Sequence, residues 1–221
     1  MSTALLVIDV QDSFRLLPSW ADISAPDIVQ RAGRLVDHAR AQGDQLVWVL
    51  HSAPGSGGPF DPETGMVTLQ PGLEARDGDV MVTKTSHNAF TTTNLARELT
   101  RRGARRLRLA GIRTEQCVET TARLAGDMGY EVEVVIDATA THPLALADGS
   151  GELSAEEVVA RTAAALSGRF ATITTVDQVV GGCPREARPP CPDRAARGGA
   201  PHGRGRARPG LRQRRRHRRP L

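Results

Sequence analysis

One alternation constrains the fold more than any other feature of the sequence. Short runs rich in β-branched residues occur at 4–10 ("ALLVIDV"), 45–50 ("QLVWVL"), 79–84 ("DVMVTK"), 105–112 ("RRLRLAGI"), 131–137 ("EVEVVID") and 170–176 ("FATITTV"). Between them lie stretches of helical periodicity. "PDIVQRAGRLVDHARAQG" puts Ile28, Val29, Ala32, Leu35, Val36 and Ala39 on one face and stops at Gly43, a helix C-terminal signal. "TTTNLARELTRRG" offers a Thr as candidate cap and ends at Gly103, and "SAEEVVARTAAALSG" opens with Ser154 and Glu157 in capping-box spacing. Strands separated by helices of this length require parallel crossovers. The expected fold is therefore α/β: a doubly wound, six-stranded, mostly parallel sheet with helices on both faces.

At 221 residues the chain suffices for one such domain with a substantial core. Charge divides it. Residues 1–180 hold 16 basic against 23 acidic residues, a balance of −7, whereas residues 181–221 hold 13 Arg against two acids, a balance of +11. The latter segment has almost no large apolar residues and cannot offset its own ordering entropy, so a disordered Arg/Pro/Gly-rich tail is expected after the 1–180 domain. Arg-rich segments can neutralise phosphates, but this one has no aromatic side chain to stack on bases, and specific nucleic-acid binding is not expected. An out-of-frame extension of GC-rich coding sequence is another reading of the same composition. Residues 51–78, rich in Gly and Pro, and 138–153 read as long functional or flexible loops.

The N-terminus "MSTALLVIDVQDSF" lacks a basic leader, and no apolar run approaches the roughly 18 residues of a membrane span. A soluble cytoplasmic protein with no membrane partner is expected. Three cysteines, Cys117, Cys183 and Cys191, form no disulfide framework and no zinc-knuckle spacing.

Ligands of doubly wound sheets bind outside the carboxyl ends of the strands, and three residues with chemical meaning stand there. Asp9 ends the first strand, where a partly desolvated carboxylate needs a partner or a raised pKa; a lone Asp there also serves as a structural cap. Lys84, the one lysine among 29 basic residues, ends the third. Arginine bias leaves a lysine either by chance or where a compact ammonium is needed instead of a planar fork. Cys117 falls in the first turn of a helix expected from Thr114 to Gly126, where unpaired amides and a nearby cation lower a thiol's pKa; a lone Cys is otherwise a small core residue. Together they suggest nucleophilic attack by Cys117 on an acyl carbon, proton transfer through Asp9, and Lys84 as the cation that positions the carboxylate.

"LLVIDVQDSF", "KTSHNAFTTTNLARELTRRG" and "LAGIRTEQCVETTARLAGDMGYEVEVVIDATAT" resemble the three ordered motifs of the isochorismatase-like cysteine hydrolases, a family that includes nicotinamidases, N-carbamoylsarcosine amidase and related amidohydrolases. The likeness covers roughly residues 3–180 and does not extend to the tail. It implies Asp9, Lys84 and Cys117 as a catalytic triad, a cis peptide between Ile112 and Arg113, and an oxyanion hole formed by the backbone amides of Arg113 and Cys117. Gln11, Phe14 and Phe90 are the expected substrate-binding residues, with Trp20, Phe60 and His87 as further lining candidates that could equally be core or loop residues.

Two departures narrow the reaction. Metal-binding nicotinamidases carry an Asp and His cluster after the second strand, where this chain has "VLHSAPGSGGPFDPETG", with His51 and no Asp-x-His; no metal and no cofactor are expected. True isochorismatases often lack the nucleophile that Cys117 would supply. The expected function is metal-independent hydrolysis of an amide, lactam or ureido C–N bond in a small molecule, through a thioacyl intermediate, by a homo-oligomer. The alternatives are a streptothricin-type lactam hydrolase, an isochorismatase, or a catalytically silent binding protein of the same fold. Acidic Asp12, Glu115 and Glu119 near the expected site would suit a neutral or cationic substrate.

Overall fold

A computed structural model describes residues 2–181 of the chain; the expected tail lies outside the described residues. The elements in chain order are β1 (Ser2–Ile8), α1 (Ile28–Gln42), β2 (Gln45–His51), β3 (Val80–Lys84), α2 (Leu95–Arg101), β4 (Ala104–Ile112), α3 (Glu119–Asp127), β5 (Glu131–Ala140), β6 (Leu144–Ala145), β7 (Glu152–Leu153), α4 (Ala155–Leu166), β8 (Thr172–Thr174) and α5 (Val176–Val180). Six strands form one sheet in the order β3-β2-β1-β4-β5-β8, and every pairing in it is parallel. β6 and β7 make a separate antiparallel pair.

Alternation of side chains along the strands produces two apolar layers. Leu5 and Val7 of β1, with Trp48 of β2 and Ala110 and Ile112 of β4, pack against Ile28, Ala32, Leu35 and Ala39 of α1 and Val176 of α5. Ala4, Leu6 and Ile8 face the other way, against Leu95 and Leu99 of α2, Ala122 and Ala125 of α3 and Leu166 of α4. β1 is therefore covered on both faces, and six of its seven residues are buried. This is the doubly wound architecture expected from the alternation. No helix among the described residues is long and apolar enough to cross a membrane.

The local signals hold where they are chemically specific. Ser154 and Glu157 form the capping box at the start of α4, and Gly43 closes α1. Other boundaries move for identifiable reasons. The strand expected at 170–176 is only Thr172–Thr174, because Thr175 caps α5 with Gln178 in a second capping box. The helix expected from Thr114 opens as a π-turn, Thr114–Val118, before α3 begins. The loop at 51–78 is tied down by long-range bonds: Asp12 N–H donates to Thr68 O, Ser13 N–H to Met66 O and Gln70 N–H to Val10 O.

Candidate active site

The strand order reverses at β1: the chain proceeds outward through β2 and β3, then returns to place β4 on the other side of β1. At such a switch point the connections after adjacent strands diverge and leave a crevice. Asp9 follows β1, the π-turn carrying Cys117 follows β4, and Lys84 ends β3. Lys84 is two strands removed from Asp9, and its register partner on the intervening β2 is His51. A long unbranched side chain is what lets β3 reach across the end of β2.

The backbone aims each group. Asp9 has φ +55°, the left-handed region that Asp tolerates better than most residues, and its N–H still donates to Val49 O at 2.8 Å. The chain thus turns sharply while leaving the β1–β2 ladder. The Ile112–Arg113 peptide is cis, as the family resemblance implied. Val118 N–H then donates to Arg113 O across five residues, the signature of the π-turn. Thr114 anchors this turn to β5 through Thr139 Oγ1 at 2.9 Å.

The three groups converge. Lys84 Nζ stands 2.8 Å from Asp9 Oδ2, with both side chains 0% exposed, and donates to Cys117 Sγ at 3.3 Å. Cys117 retains 6% exposure. The contact between Lys84 and Asp9 is an ion pair of charge rather than of alignment, since neither Asp9 oxygen receives a well-directed hydrogen bond among the described residues. Burial raises the Asp9 pKa, and Lys84 draws it partly back.

The thiol departs from expectation. Burial, then the charge of Asp9, pushes Cys117 up to about 12, and Lys84 offsets only part of this. The helix-terminus effect that predicts a lowered pKa is outweighed because the thiol is desolvated beside a carboxylate. Burial and the carboxylate both favour the neutral thiol over the thiolate. Alkylation of Cys117 by iodoacetamide is therefore expected to be slow at neutral pH and to rise about tenfold per pH unit up to about pH 10. Mass spectrometry of the Cys117 peptide separates it from Cys183 and Cys191; a plateau near neutral pH would show a resting thiolate instead.

The expected substrate-binding residues separate. Phe14 packs edge-on against Phe60, ring centroids 4.9 Å apart, and Phe60 meets the His51 ring at 5.6 Å. These aromatics lie next to the site, because His51 Nδ1 is 3.3 Å from Lys84 Nζ. Gln11 is wholly buried and its amide is engaged with the protein: Oε1 accepts from His51 N–H, and Nε2 donates to His51 O and Ser13 Oγ. Its role is corrected from substrate contact to holding the end of β2. Phe90 is buried in the apolar layer that also holds Cys117 and stacks on Tyr130 at 6.1 Å, whereas Phe14 and Phe60 belong to the other layer. Trp20 packs on the apolar layer of α1. His87 is exposed, and its charge acts on Asp9 and His51.

The acidic surroundings also need correction. Glu119 accepts from Arg123, Arg161 and Thr162, Glu115 pairs with Arg113 and accepts from Thr141 Oγ1, and Asp12 pairs with Arg15. Each acid has an arginine at hand, which removes the electrostatic argument for a cationic substrate. Among the described residues no group of three or more His, Cys, Asp or Glu is placed to hold a metal ion.

Residues 3–178 match the Isochorismatase domain family. The chain is 32% identical over 178 residues to YddQ of Bacillus subtilis, an uncharacterised isochorismatase family protein, covering 80% of this chain and 98% of that one. It is 35% identical over 148 residues to a streptothricin hydrolase of Streptomyces noursei, covering 66% of this chain and 57% of the relative. A cysteine hydrolase from Pseudomonas syringae pv. phaseolicola superposes with a TM-score of 0.73 at 26% identity, covering 81% of this chain and 91% of the other. With a parallel sheet of matching architecture and a likeness that runs through nearly the whole described domain, the chain belongs to the isochorismatase family of hydrolases.

Proposed function

We propose that the protein is a cysteine amidohydrolase that cleaves an amide, lactam or ureido C–N bond of a small molecule. The observation that carries this reading is the convergence of Asp9, Lys84 and Cys117 from three strand ends, with one buried ammonium 2.8 Å from the carboxylate and 3.3 Å from the sulfur. The likeness to a streptothricin hydrolase and to a cysteine hydrolase supports hydrolysis by a cysteine nucleophile.

The charge states suit a proton relay. A thiol held at about 12 does not ionise alone, whereas a buried carboxylate with a raised pKa is a better base than one in water. Asp9 takes the Cys117 proton as Sγ bonds to the acyl carbon, and the carbonyl π electrons move onto oxygen. The backbone amides of Arg113 and Cys117, the donors that the family resemblance implies, would hold that oxyanion. Collapse of the tetrahedral intermediate breaks the C–N bond, and the departing nitrogen takes the proton from Asp9. Water then attacks the thioester, giving one proton to Asp9; the C–S bond breaks, and that proton returns to Cys117. Lys84 stands beside both partners, 2.8 Å from the carboxylate and 3.3 Å from the sulfur. The local compensation of Asp12, Glu115 and Glu119 supports an uncharged reacting group.

The test is a panel of nicotinamide, ureido acids, carbamoyl amino acids, isochorismate and lactam antibiotics, read by ammonia or product release. A substrate found this way is expected to leave, after acid quenching, a Cys117 adduct whose added mass is that of the acyl group. Hydrolysis of that substrate at the wild-type rate by Cys117→Ala would overturn the proposal.

A further inference from the structure

We infer that His51, clamped by Gln11, is a positioning residue for Lys84: its Nδ1 accepts one ammonium proton and thereby holds the ammonium between the Asp9 carboxylate and Cys117. This rests on the triad reading above and extends it to a residue the sequence offers only as an incomplete metal ligand.

An ammonium has three N–H donors and no acceptor. Lys84 is 0% exposed, so water does not satisfy them, and three heavy atoms surround Nζ: Asp9 Oδ2 at 2.8 Å, Cys117 Sγ at 3.3 Å and His51 Nδ1 at 3.3 Å. Since Nζ cannot accept, Nδ1 must present a lone pair, and the ring proton sits on Nε2. Burial, then the charges of Lys84 and His87, holds the imidazole neutral with a pKa of about 4.

The ring is held from behind. Both atoms of the Gln11 carboxamide grip the His51 backbone, Oε1 accepting from N–H at 2.7 Å and Nε2 donating to the carbonyl at 3.0 Å. The second Nε2 proton goes to Ser13 Oγ at 2.9 Å, and Ser13 Oγ–H donates to Met66 O at 2.8 Å. This relay fixes the orientation of the Gln11 amide and ties the end of β2 to the 51–78 loop. Phe60 meets the imidazole edge-on at 68°. Positioning of this kind is what a flexible four-carbon side chain lacks on its own.

The chain contains one lysine, so lysine labelled with 15N at Nζ gives a single ammonium resonance. In wild type the Hζ protons are expected to exchange slowly with water. His51→Leu removes the acceptor and is expected to shift the resonance, speed Hζ exchange about tenfold or more and slow iodoacetamide alkylation of Cys117 at one fixed pH by about the same factor. His51→Asn, which offers an amide oxygen near the Nδ1 position, is expected to restore most of both. An unchanged Nζ resonance and alkylation rate in a folded His51→Leu protein overturns the inference. So does a wild-type 15N-histidine spectrum with the proton on Nδ1 of His51, a result that does not depend on any variant folding. Lys84→Met separates the two readings: if it leaves alkylation unchanged the triad itself fails, and if it slows alkylation while His51→Leu does not, only the role of His51 fails.

Discussion

Asp9→Asn is expected to abolish turnover and to destabilise the fold in the same step. The substitution is nearly isosteric, and Asn tolerates the left-handed backbone that Asp9 adopts at φ +55°, so the chain path need not change. What changes is charge. Lys84 lies 2.8 Å from Asp9 with both side chains 0% exposed, and no water replaces the lost carboxylate. Removing one partner of a buried pair leaves an uncompensated ion, a loss of about 3–5 kcal/mol. For a domain of this size that corresponds to a melting temperature lower by roughly 10 °C. Turnover should fall on the order of 10⁴-fold, as it does when the acid of a catalytic triad becomes an amide, because nothing then removes a proton from a thiol held at about 12.

A double variant distinguishes the two effects. Asp9→Asn with Lys84→Met deletes both charges, and replacing a whole buried pair with apolar or neutral groups is often neutral or stabilising by about 1–4 kcal/mol. Its melting temperature should therefore recover toward wild type while its turnover stays lost. Thermal melts and hydrolysis of whichever panel substrate is active provide both readouts. A wild-type melting temperature for Asp9→Asn alone would mean that the ammonium has another countercharge, and the electrostatic account of the site would be wrong.

The sequence reveals the site to the extent that chemistry follows chain position. Asp9, Lys84 and Cys117 are legible because each sits where a strand run stops, and in a parallel sheet all strands of one layer stop on the same side. Their interactions are less legible. Spacing shows Glu119 two residues after Cys117, but not that Arg161, 42 residues away, donates to it. The first turn of a helix suggests a lowered thiol pKa, yet the direction is reversed by burial and by a carboxylate from another strand. His51 reads as a ligand without partners until the β2–β3 register sets it beside Lys84. Gln11 belongs to the motif that points to substrate, while its amide is occupied by a strand end 40 residues away. The capping box of α4 and the helical periodicities hold, whereas α2 has Asn94 at its N-terminal cap position, with no side-chain cap bond, instead of a Thr; roles that depend on a contact across the sheet do not follow from local rules.

Gly111→Ala should be the most disruptive glycine-to-alanine change among the described residues. Gly111 has φ +134°, and a Cβ there would overlap the Ile8 carbonyl oxygen and lie 2.7 Å from Ile8 C and 2.8 Å from Ile8 N. These are backbone atoms of the register partner on β1, so no rotamer change can relieve the clash. The strands must separate at the central pairing of the sheet, or β4 must distort at the shift in its pairing with β5 between Leu109 and Gly111. Either response adds a forbidden backbone conformation to a steric overlap, and the expected loss is about 5 kcal/mol or more, enough to leave little folded protein. The same contact sets the chemistry, because Ile8 precedes Asp9 and β4 ends just before the turn that carries Cys117. Any protein that does fold should thus have its carboxylate and thiol displaced relative to each other and little activity. Gly33→Ala is the control: a Cβ there meets nothing within 4 Å, in the middle of α1, and should stabilise by about 0.5–1 kcal/mol. Soluble yield and thermal melts read both variants. A Gly111→Ala protein that melts close to wild type would mean that β1 and β4 are not in this register, and with it the placement of Asp9 beside Cys117 would fall.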